Sequence, residues 1–101
     1  LHYIQNHLTE DLSMDTISDA FIMDKYNLAH MFKDKMGISY YQYVIQQRLL
    51  TGKNLILEGM PANKACFACG FNDYSSFFRA FKKEYEVSPT AFRRIHEGMI
   101  G

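Results

Sequence analysis

Apolar residues recur every three to four positions along nearly the whole chain, and no stretch alternates strictly between apolar and polar residues. The first spacing is that of a helix with one buried face, whereas strict alternation with β-branched residues would have indicated strands. The pattern therefore predicts an all-α fold of about seven helices.

Capping residues set the predicted limits of the second and third helices. Ser13 precedes a helix that ends at Phe21, and Asp24 precedes one that ends before Gly37. A side-chain oxygen at the start of a helix and a glycine after its end are the usual limits. The residues predicted to face the interior are Leu1, Ile4 and Leu8 in the first helix, Met14, Ile17 and Phe21 in the second, and Leu28, Met31, Phe32 and Met36 in the third.

The same signals predict four more helices. Ser39 caps the longest of them, which ends at about Glu58 before Gly59. A short helix then runs from Pro61 to about residue 69. Gly70 makes a turn, after which a helix begins with the cap Asp73 and a last short helix begins near residue 89. The apolar face of the helix after Asp73 is predicted to be Tyr74, Phe77, Phe81 and Tyr85.

The chain contains an internal repeat at an offset of 49 residues. The paired positions include Asp24 and Asp73, Leu28 and Phe77, His30 and Arg79, Phe32 and Phe81, Lys33 and Lys82, and Ile38 and Val87. Cap, buried face, one basic position and helix exit all recur, as expected of a duplicated structural unit. We therefore predict two helix-turn-helix subdomains, residues 1–38 and 60–101, joined by a linking helix over residues 39–59.

The formal net charge of zero argues against a nucleic-acid partner, because DNA-binding domains usually carry a basic excess. The charge is unevenly distributed, however. Residues 1–60 hold five Lys or Arg against seven Asp or Glu, which gives −2, and residues 61–101 hold six against four, which gives +2. The second half is thus the better candidate for binding an anionic partner.

Length and composition limit the remaining possibilities. With 101 residues, of which 48% are hydrophobic, the chain has material for one compact domain or two small subdomains with a shared core. No apolar run approaches the roughly 20 residues of a membrane span, so we expect no membrane partner and a cytoplasmic location. Helical periodicity starts at once from Leu1, and we therefore expect a piece of a longer protein whose effector or sensor domain lies outside this sequence.

The duplicated unit and the segment that begins at Gly70 give the chain a resemblance to the DNA-binding domain of the AraC/XylS transcription regulators over nearly its whole length. The signature-like segment is Gly70-Phe71-Asn72-Asp73-Tyr74-Ser75-Ser76-Phe77-Phe78-Arg79-Ala80-Phe81-Lys82-Lys83, followed by Val87-Ser88-Pro89 and Phe92-Arg93. The resemblance implies that the second helix of each unit enters the major groove of double-stranded DNA. It also implies a bacterial regulator that activates transcription by contacting RNA polymerase.

The resemblance also implies which residues contact DNA. The base-reading residues would be Tyr26, Asn27, Ala29 and His30 in the first unit, and Tyr74, Ser75, Ser76 and Arg79 in the second. Lys33, Lys82 and Lys83 would bind phosphates. Helical spacing independently puts Ser75, Ser76, Arg79 and Lys83 opposite Phe77 and Phe81. Arg79 suits a bidentate contact to guanine, although phosphate binding or an ion pair with Glu84 is open to it too.

The linking helix and the two recognition helices together predict the kind of DNA site. About 19 residues at 1.5 Å each give a linking helix near 28 Å, comparable to the roughly 34 Å between successive major-groove faces. One monomer is therefore expected to read two adjacent grooves of an asymmetric site.

Glycine and non-glycine residues are exchanged at three positions relative to the family pattern. Ile22 and Glu86 stand where the family usually has glycine, and a left-handed backbone there would cost on the order of 1 kcal/mol. Gly52 stands where alanine is favoured, which costs up to about 1 kcal/mol in a helix interior and would allow a bend.

Other chemistry is poorly represented. Cys66 and Cys69 form a Cys-x-x-Cys on a predicted helix, and neither further cysteines nor a ligand-spaced histidine complete a metal site. His2, His7 and His96 are interpreted as surface residues. No phosphate loop, nucleophile elbow or paired acidic motif is present, so we expect neither an enzyme nor a cofactor. The alternative to DNA binding is a helical protein-interaction module with a degenerate DNA-reading face, which the neutral charge and Ala29 favour.

Overall fold

The computed structural model describes the backbone of residues 2–100 and the side chains of residues 3–97, so the predicted inward position of Leu1 and the predicted surface position of His2 lie outside the described side chains. The described backbone forms seven helices and no strand, which confirms the predicted all-α fold. The helices are α1 (His2–Asn6), α2 (Met14–Phe21), α3 (Lys25–Met36), α4 (Tyr40–Leu57), α5 (Ala62–Ala68), α6 (Tyr74–Tyr85) and α7 (Pro89–Ile100).

The chain divides into two compact units, Leu1–Gln47 (unit 1) and Arg48–Gly101 (unit 2). The division falls within α4, so the first half of that helix belongs to unit 1 and the second half to unit 2. Each unit contains one short helix followed by a longer one, α2 with α3 and α5 with α6. These are the helix pairs that the sequence repeat predicts.

The core of unit 1 is built around the inner face of α3. Leu28 and Phe32 are buried there, and the Phe32 ring meets Tyr40 and Tyr43 edge-on at centroid distances of 5.3 and 5.0 Å. The Tyr40 hydroxyl donates a 2.7 Å hydrogen bond to the carbonyl oxygen of Leu12. This bond satisfies a buried polar group and ties the start of α4 to the segment before α2.

Three apolar side chains of unit 1 are more exposed than predicted. Phe21, Met31 and Met36 were expected to face the interior, but they are 44%, 38% and 36% exposed. Each residue turns the helix by about 100°, so Met31 lies about 60° from Leu28 around the helix axis in one direction. Met36 lies about 80° from Leu28 in the other direction, beyond Phe32. α2, with 8 residues, provides only about two turns to cover them, and its central Ile17 occupies the buried position. An open apolar groove results.

Unit 2 is centred on Phe77 and Phe81 of α6, both completely buried. Their rings are 5.5 Å apart, and they continue to Phe71 at 5.2 Å from Phe77 and to Phe92 at 5.5 Å from Phe81. α7, which supplies Phe92, has 12 residues and is longer than the short final helix that the sequence predicts. This row of contacting aromatic rings fixes which side of α6 faces inward.

The predicted helix caps are confirmed. Ser13, Asp24, Ser39 and Asp73 each accept a hydrogen bond from the backbone N–H three residues later, at 3.3, 3.1, 3.1 and 2.7 Å. Gln42 returns the contact to Ser39 by accepting its backbone N–H at 3.3 Å, which completes a reciprocal capping box. The starts of α2, α3, α4 and α6 are therefore fixed by local side-chain chemistry.

Two helix ends have a left-handed backbone at residues with a side chain. Ile22 follows α2 with φ 53° and ψ 48°, and Glu86 follows α6 with φ 66° and ψ 2°. The turn at Ile22 brings the Met23 N–H to the Ser18 carbonyl at 2.9 Å, and the Glu86 N–H reaches the Lys82 carbonyl at 2.8 Å. Both turns thus satisfy helix-end carbonyls, at the conformational cost foreseen for these positions.

Replacing either residue with glycine should stabilise the chain. We expect Ile22→Gly and Glu86→Gly each to raise the free energy of unfolding by about 0.5–1 kcal/mol, because relief of the left-handed strain exceeds the added entropy of the unfolded chain. The Ile22 side chain is 93% exposed, so its loss removes little packing. Denaturant titration measures both values.

Glu84→Gly is the matched control, since Glu84 is exposed and lies in the right-handed last turn of α6. It should lower the free energy of unfolding by about 1 kcal/mol. Equal effects of glycine at positions 84 and 86 would contradict the assignment of strain to Glu86.

Gly52 lies where α4 approaches the aromatic core of unit 2. A β-carbon at this position would come 3.0 Å from Cε1 of Phe77 and 3.1 Å from Sγ of Cys69. Both neighbours are completely buried, and Phe77 is held between the rings of Phe71 and Phe81. A methyl group here would therefore fit only if Phe77 or Cys69 shifted by a few tenths of an ångström, and glycine avoids that shift.

Gly52→Ala should lower the free energy of unfolding by about 1 kcal/mol. Overpacking of about 1–3 kcal/mol outweighs a gain of up to about 1 kcal/mol in helix propensity. Addition of Cys69→Ala should restore part of the loss, since it removes the sulfur that the methyl group would meet. A Gly52→Ala variant more stable than the parent chain would show that Phe77 can yield.

Candidate DNA-binding surface

The outer side of α6 carries polar and basic residues. Burial of Phe77 and Phe81 turns Ser75, Arg79 and Lys83 toward solvent, and all three are exposed. Lys82 is also exposed, in the last turn of the helix. The Asp73 cap starts the helix immediately before these residues, so cap and core together determine which side chains α6 displays.

The basic residues of this surface have no direct side-chain partner among the described residues. Among the described residues, Arg79, Lys82 and Lys83 make no ion pair or side-chain hydrogen bond, and the ion pair of Arg79 with Glu84 that the sequence left open is not formed. The positive charge of Arg79 does make a small contribution to lowering the pKa of the Asp73 carboxyl. The three cations are thus available to an external anion.

Ser76 is committed to the helix cap. Its backbone N–H donates to Oδ1 of Asp73 at 2.7 Å, and its hydroxyl donates to Oδ2 at 3.0 Å. These bonds, with a smaller contribution from Arg79, lower the pKa of the Asp73 carboxyl below its usual value. The Ser76 hydroxyl therefore retains only its lone pairs for a ligand, and Ser75 is the freer of the two serines.

Tyr74 and Phe78 form the edge of the α6 surface. Both are half-buried, with their ring centroids 6.2 Å apart. Burial, and to a lesser extent Cys66, raises the pKa of the Tyr74 hydroxyl above its usual value. Of the four base-reading candidates in α6, Ser75 and Arg79 are exposed, whereas Tyr74 and Ser76 are partly covered.

The outer side of α3 is equally accessible but less basic. Tyr26, Asn27, Ala29, His30 and Lys33 are all exposed, opposite the buried Leu28 and Phe32. The rings of Tyr26 and His30, four residues apart, contact each other at a centroid distance of 4.4 Å. Lys33 makes no ion pair with a described residue. All five candidates therefore share one accessible side of the helix.

The two units differ in charge. Unit 1 holds three lysines against six carboxylates, which gives −3, and unit 2 holds eight Lys or Arg against five carboxylates, which gives +3. Lys25 of unit 1 is moreover paired with Asp15 at 2.9 Å. Attraction of a polyanion is thus concentrated in unit 2.

Two basic residues of unit 2 escaped the sequence analysis. Arg94 of α7 and Lys64 of α5 are exposed and make no ion pair with a described residue, whereas Arg93 is bound to Glu97 at 2.9 Å. The local excess of basic residues after position 61 was the available signal. Sequence alone did not tell Arg94 from Arg93, because the difference lies in which side of α7 each occupies.

The Cys66 and Cys69 thiols are buried and donate weak hydrogen bonds to the carbonyls of Asp73 and Cys66, at 3.4 and 3.3 Å. Burial raises the pKa of Cys69 to about 12 and also raises the pKa of Cys66. They are packing residues, and unreactive ones. In the described part of the chain, no cluster of three or more potential ligands could hold a metal ion.

No helix in the described range is both long enough and apolar enough to cross a membrane.

Comparison with known proteins identifies the fold. A family model described as a helix-turn-helix domain matches residues 17–95. Structures with the same fold include a transcriptional regulator with an AraC-type DNA-binding domain from Chromobacterium violaceum, with 21% identity, a TM-score of 0.85, and coverage of 94% of this chain and 86% of that one. Another is the DNA-binding domain of AdpA in complex with a target DNA, with 21% identity, a TM-score of 0.92, and coverage of 97% and 89%.

Two curated regulators are also similar to this chain in sequence. The probable transcriptional regulator LumQ of Photobacterium leiognathi is 36% identical over 93 residues, which cover 91% of this chain and 38% of LumQ. The xylose operon regulatory protein of Escherichia coli K12 is 26% identical over 101 residues, covering 99% of this chain and 26% of that protein. This chain thus spans less than half the length of these relatives. The family match begins within α2 and extends past α6, and the chain belongs to the AraC/XylS family of helix-turn-helix transcription regulators, which is not an enzyme family.

Proposed function

We propose that this chain binds double-stranded DNA sequence-specifically, as the DNA-binding domain of a transcription regulator. The observation that carries the proposal is the outer side of α6, where Arg79, Lys82 and Lys83 are exposed and make no ion pair with a described residue, opposite the completely buried Phe77 and Phe81. The major groove of B-DNA admits an α-helix, and its phosphates bind such cations. Family membership and the DNA-bound AdpA domain support the same function.

Each residue of α6 has a role suited to its chemistry. Arg79 forms bidentate hydrogen bonds with a guanine, and Ser75 contacts a base edge or phosphate. Lys82 and Lys83 bind phosphates, which fixes the helix in the groove without reading sequence. Ser76 contributes as an acceptor only, because its hydroxyl hydrogen is bonded to Asp73. Tyr74 adds apolar contact at the edge.

α3 reads the second part of the site with weaker interactions. The side-chain amide of Asn27 has no hydrogen-bond partner among the described residues, which suits bidentate pairing with adenine, and Ala29 suits a thymine methyl group. Tyr26 and His30 pack on each other and contact bases as a pair, while Lys33 binds a phosphate. Because unit 1 has a charge of −3, we expect α6 to supply more of the affinity and α3 to refine selectivity.

The preferred DNA site should be asymmetric. The two units are joined in one chain and differ in sequence, so a monomer is expected to recognise two different half-elements about one helical turn apart, in adjacent major grooves. The curated relatives are longer than this chain, which supports an effector or sensor domain outside it. RNA polymerase contact, activation of transcription and a cytoplasmic location complete the proposal.

A selection from random double-stranded DNA tests this function against the alternative of a protein-interaction module, which the charge of unit 1 and its exposed Phe21 and Ile22 favour. We expect enrichment of one asymmetric sequence, with affinity that falls steeply as salt is added. Failure to enrich a sequence, with no salt-dependent binding, would leave the interaction module as the better explanation.

Arg79→Ala should weaken binding to the selected site by about 1–3 kcal/mol and relax the preference at a single base position, because one bidentate base contact is lost. Repeating the selection with the variant measures both effects. Unchanged specificity would remove Arg79 from the base-reading residues.

Lys83→Ala, one turn along the same side of α6, is the matched control. It should weaken binding to all DNA sequences about equally, and it should make the slope of log affinity against log salt concentration less steep by about 1.

A further inference from the structure

Unit 1 contains an open apolar cavity of about 260 Å³. Its floor consists of buried side chains, among them Ile17 of α2 and Leu28 and Phe32 of α3. All the described residues that line it belong to unit 1, so it is a feature of one compact part of the chain. It lies on the inner side of α3, away from the residues assigned to DNA.

The upper walls of the cavity are unusually rich in methionine and aromatic side chains. Met31, Met36 and Phe21 are each more than a third exposed, and Met23 is half-buried. Methionine side chains adapt their shape, and their sulfur atoms make favourable contacts with aromatic rings. The walls therefore suit a flat aromatic ligand better than an aliphatic chain.

The polar groups of the cavity set the charge of its ligand. Tyr40 also lines it, but its hydroxyl hydrogen is already donated to the Leu12 carbonyl. Among the described residues of the lining, Lys35 is the single charged one, and it makes no ion pair with a described residue. The neighbouring Asp34 does not line the cavity. A ligand with one anionic group is thus complementary.

The volume sets the size of the ligand. A cavity of about 150 Å³ holds benzene, with six carbons, so at the same volume per atom 260 Å³ holds roughly ten non-hydrogen atoms. That number corresponds to one aromatic ring with a short side chain that ends in a carboxylate.

We propose that this cavity binds a small aromatic carboxylate, with the ring between the methionine side chains and the carboxylate at Lys35. The binding site goes beyond DNA recognition and does not depend on it, since no residue assigned to DNA lines the cavity. Its ligand contacts Leu28 and Phe32, which hold α3 in unit 1, so the site would place a small molecule directly beneath a recognition helix.

The test is a titration of the chain, labelled with ¹³C in its methionine methyl groups, with 3-phenylpropionate. Single Met→Leu substitutions assign the signals. We expect saturable shifts of Met23, Met31 and Met36, whereas Met60 of unit 2 stays unshifted and provides an internal control. Propionate, which lacks the ring, should cause no shift at the same concentrations. Absence of shifts, or equal shifts of Met60, would overturn the proposal.

A charge reversal at Lys35 tests the orientation. The parent chain should bind 3-phenylpropionate roughly three- to tenfold more tightly than 3-phenylpropylammonium, which has the same skeleton, and Lys35→Glu should invert that preference. If Lys35→Glu disturbs folding, Lys35→Gln takes its place as the test and should abolish the preference. Lys64→Glu is the matched control and should retain the parent preference. A preference unaffected by either change at Lys35 would contradict the proposed site.

Discussion

The structure of each recognition helix depends on one local constraint, the combination of an aspartate cap with buried side chains four and eight residues later. In α6 the Asp73 carboxylate binds the backbone N–H and hydroxyl of Ser76, and Phe77 and Phe81 are completely buried. In α3 the same relation links Asp24 to Leu28 and Phe32. The cap fixes where the helix begins, and the buried pair fixes its rotation. All other side chains of the helix are thereby assigned to the core, the edge or the surface.

This constraint explains why so much of the fold was predictable from sequence. Caps, apolar periodicity and the glycine after α3 are local signals, and they located the helices and the exposed sides of α3 and α6. The features that sequence did not provide depend on contacts between distant parts of the chain. The exposure of Met31 and Met36 reflects how little of α3 the short α2 covers, and the need for Gly52 comes from Phe77, 25 residues away. Sequence also did not show that the Ser76 hydroxyl, and not that of Ser75, donates its hydrogen to Asp73, because that depends on helix geometry rather than on residue type.

The two units have kept the same architecture while diverging in surface and interior. Unit 2 combines a charge of +3 with an aromatic core that a methyl group at Gly52 would overfill. Unit 1 has a charge of −3 and an open cavity beneath α3. Tight packing and basic charge suit unit 2 to supplying affinity. A less filled interior suits unit 1 to small changes in the position of α3, since a helix with an open space behind it has fewer contacts to hold it in place.

The central claim is that both capped helices present their outer sides to DNA. Backbone amide NMR spectra of the chain, free and bound to its selected DNA site, test this most directly. The account predicts large shifts for Asn27 and His30 of α3 as well as Ser75 and Arg79 of α6, with smaller shifts at the buried Phe32 and Phe81. Shifts confined to α6, or centred on α7, would contradict it.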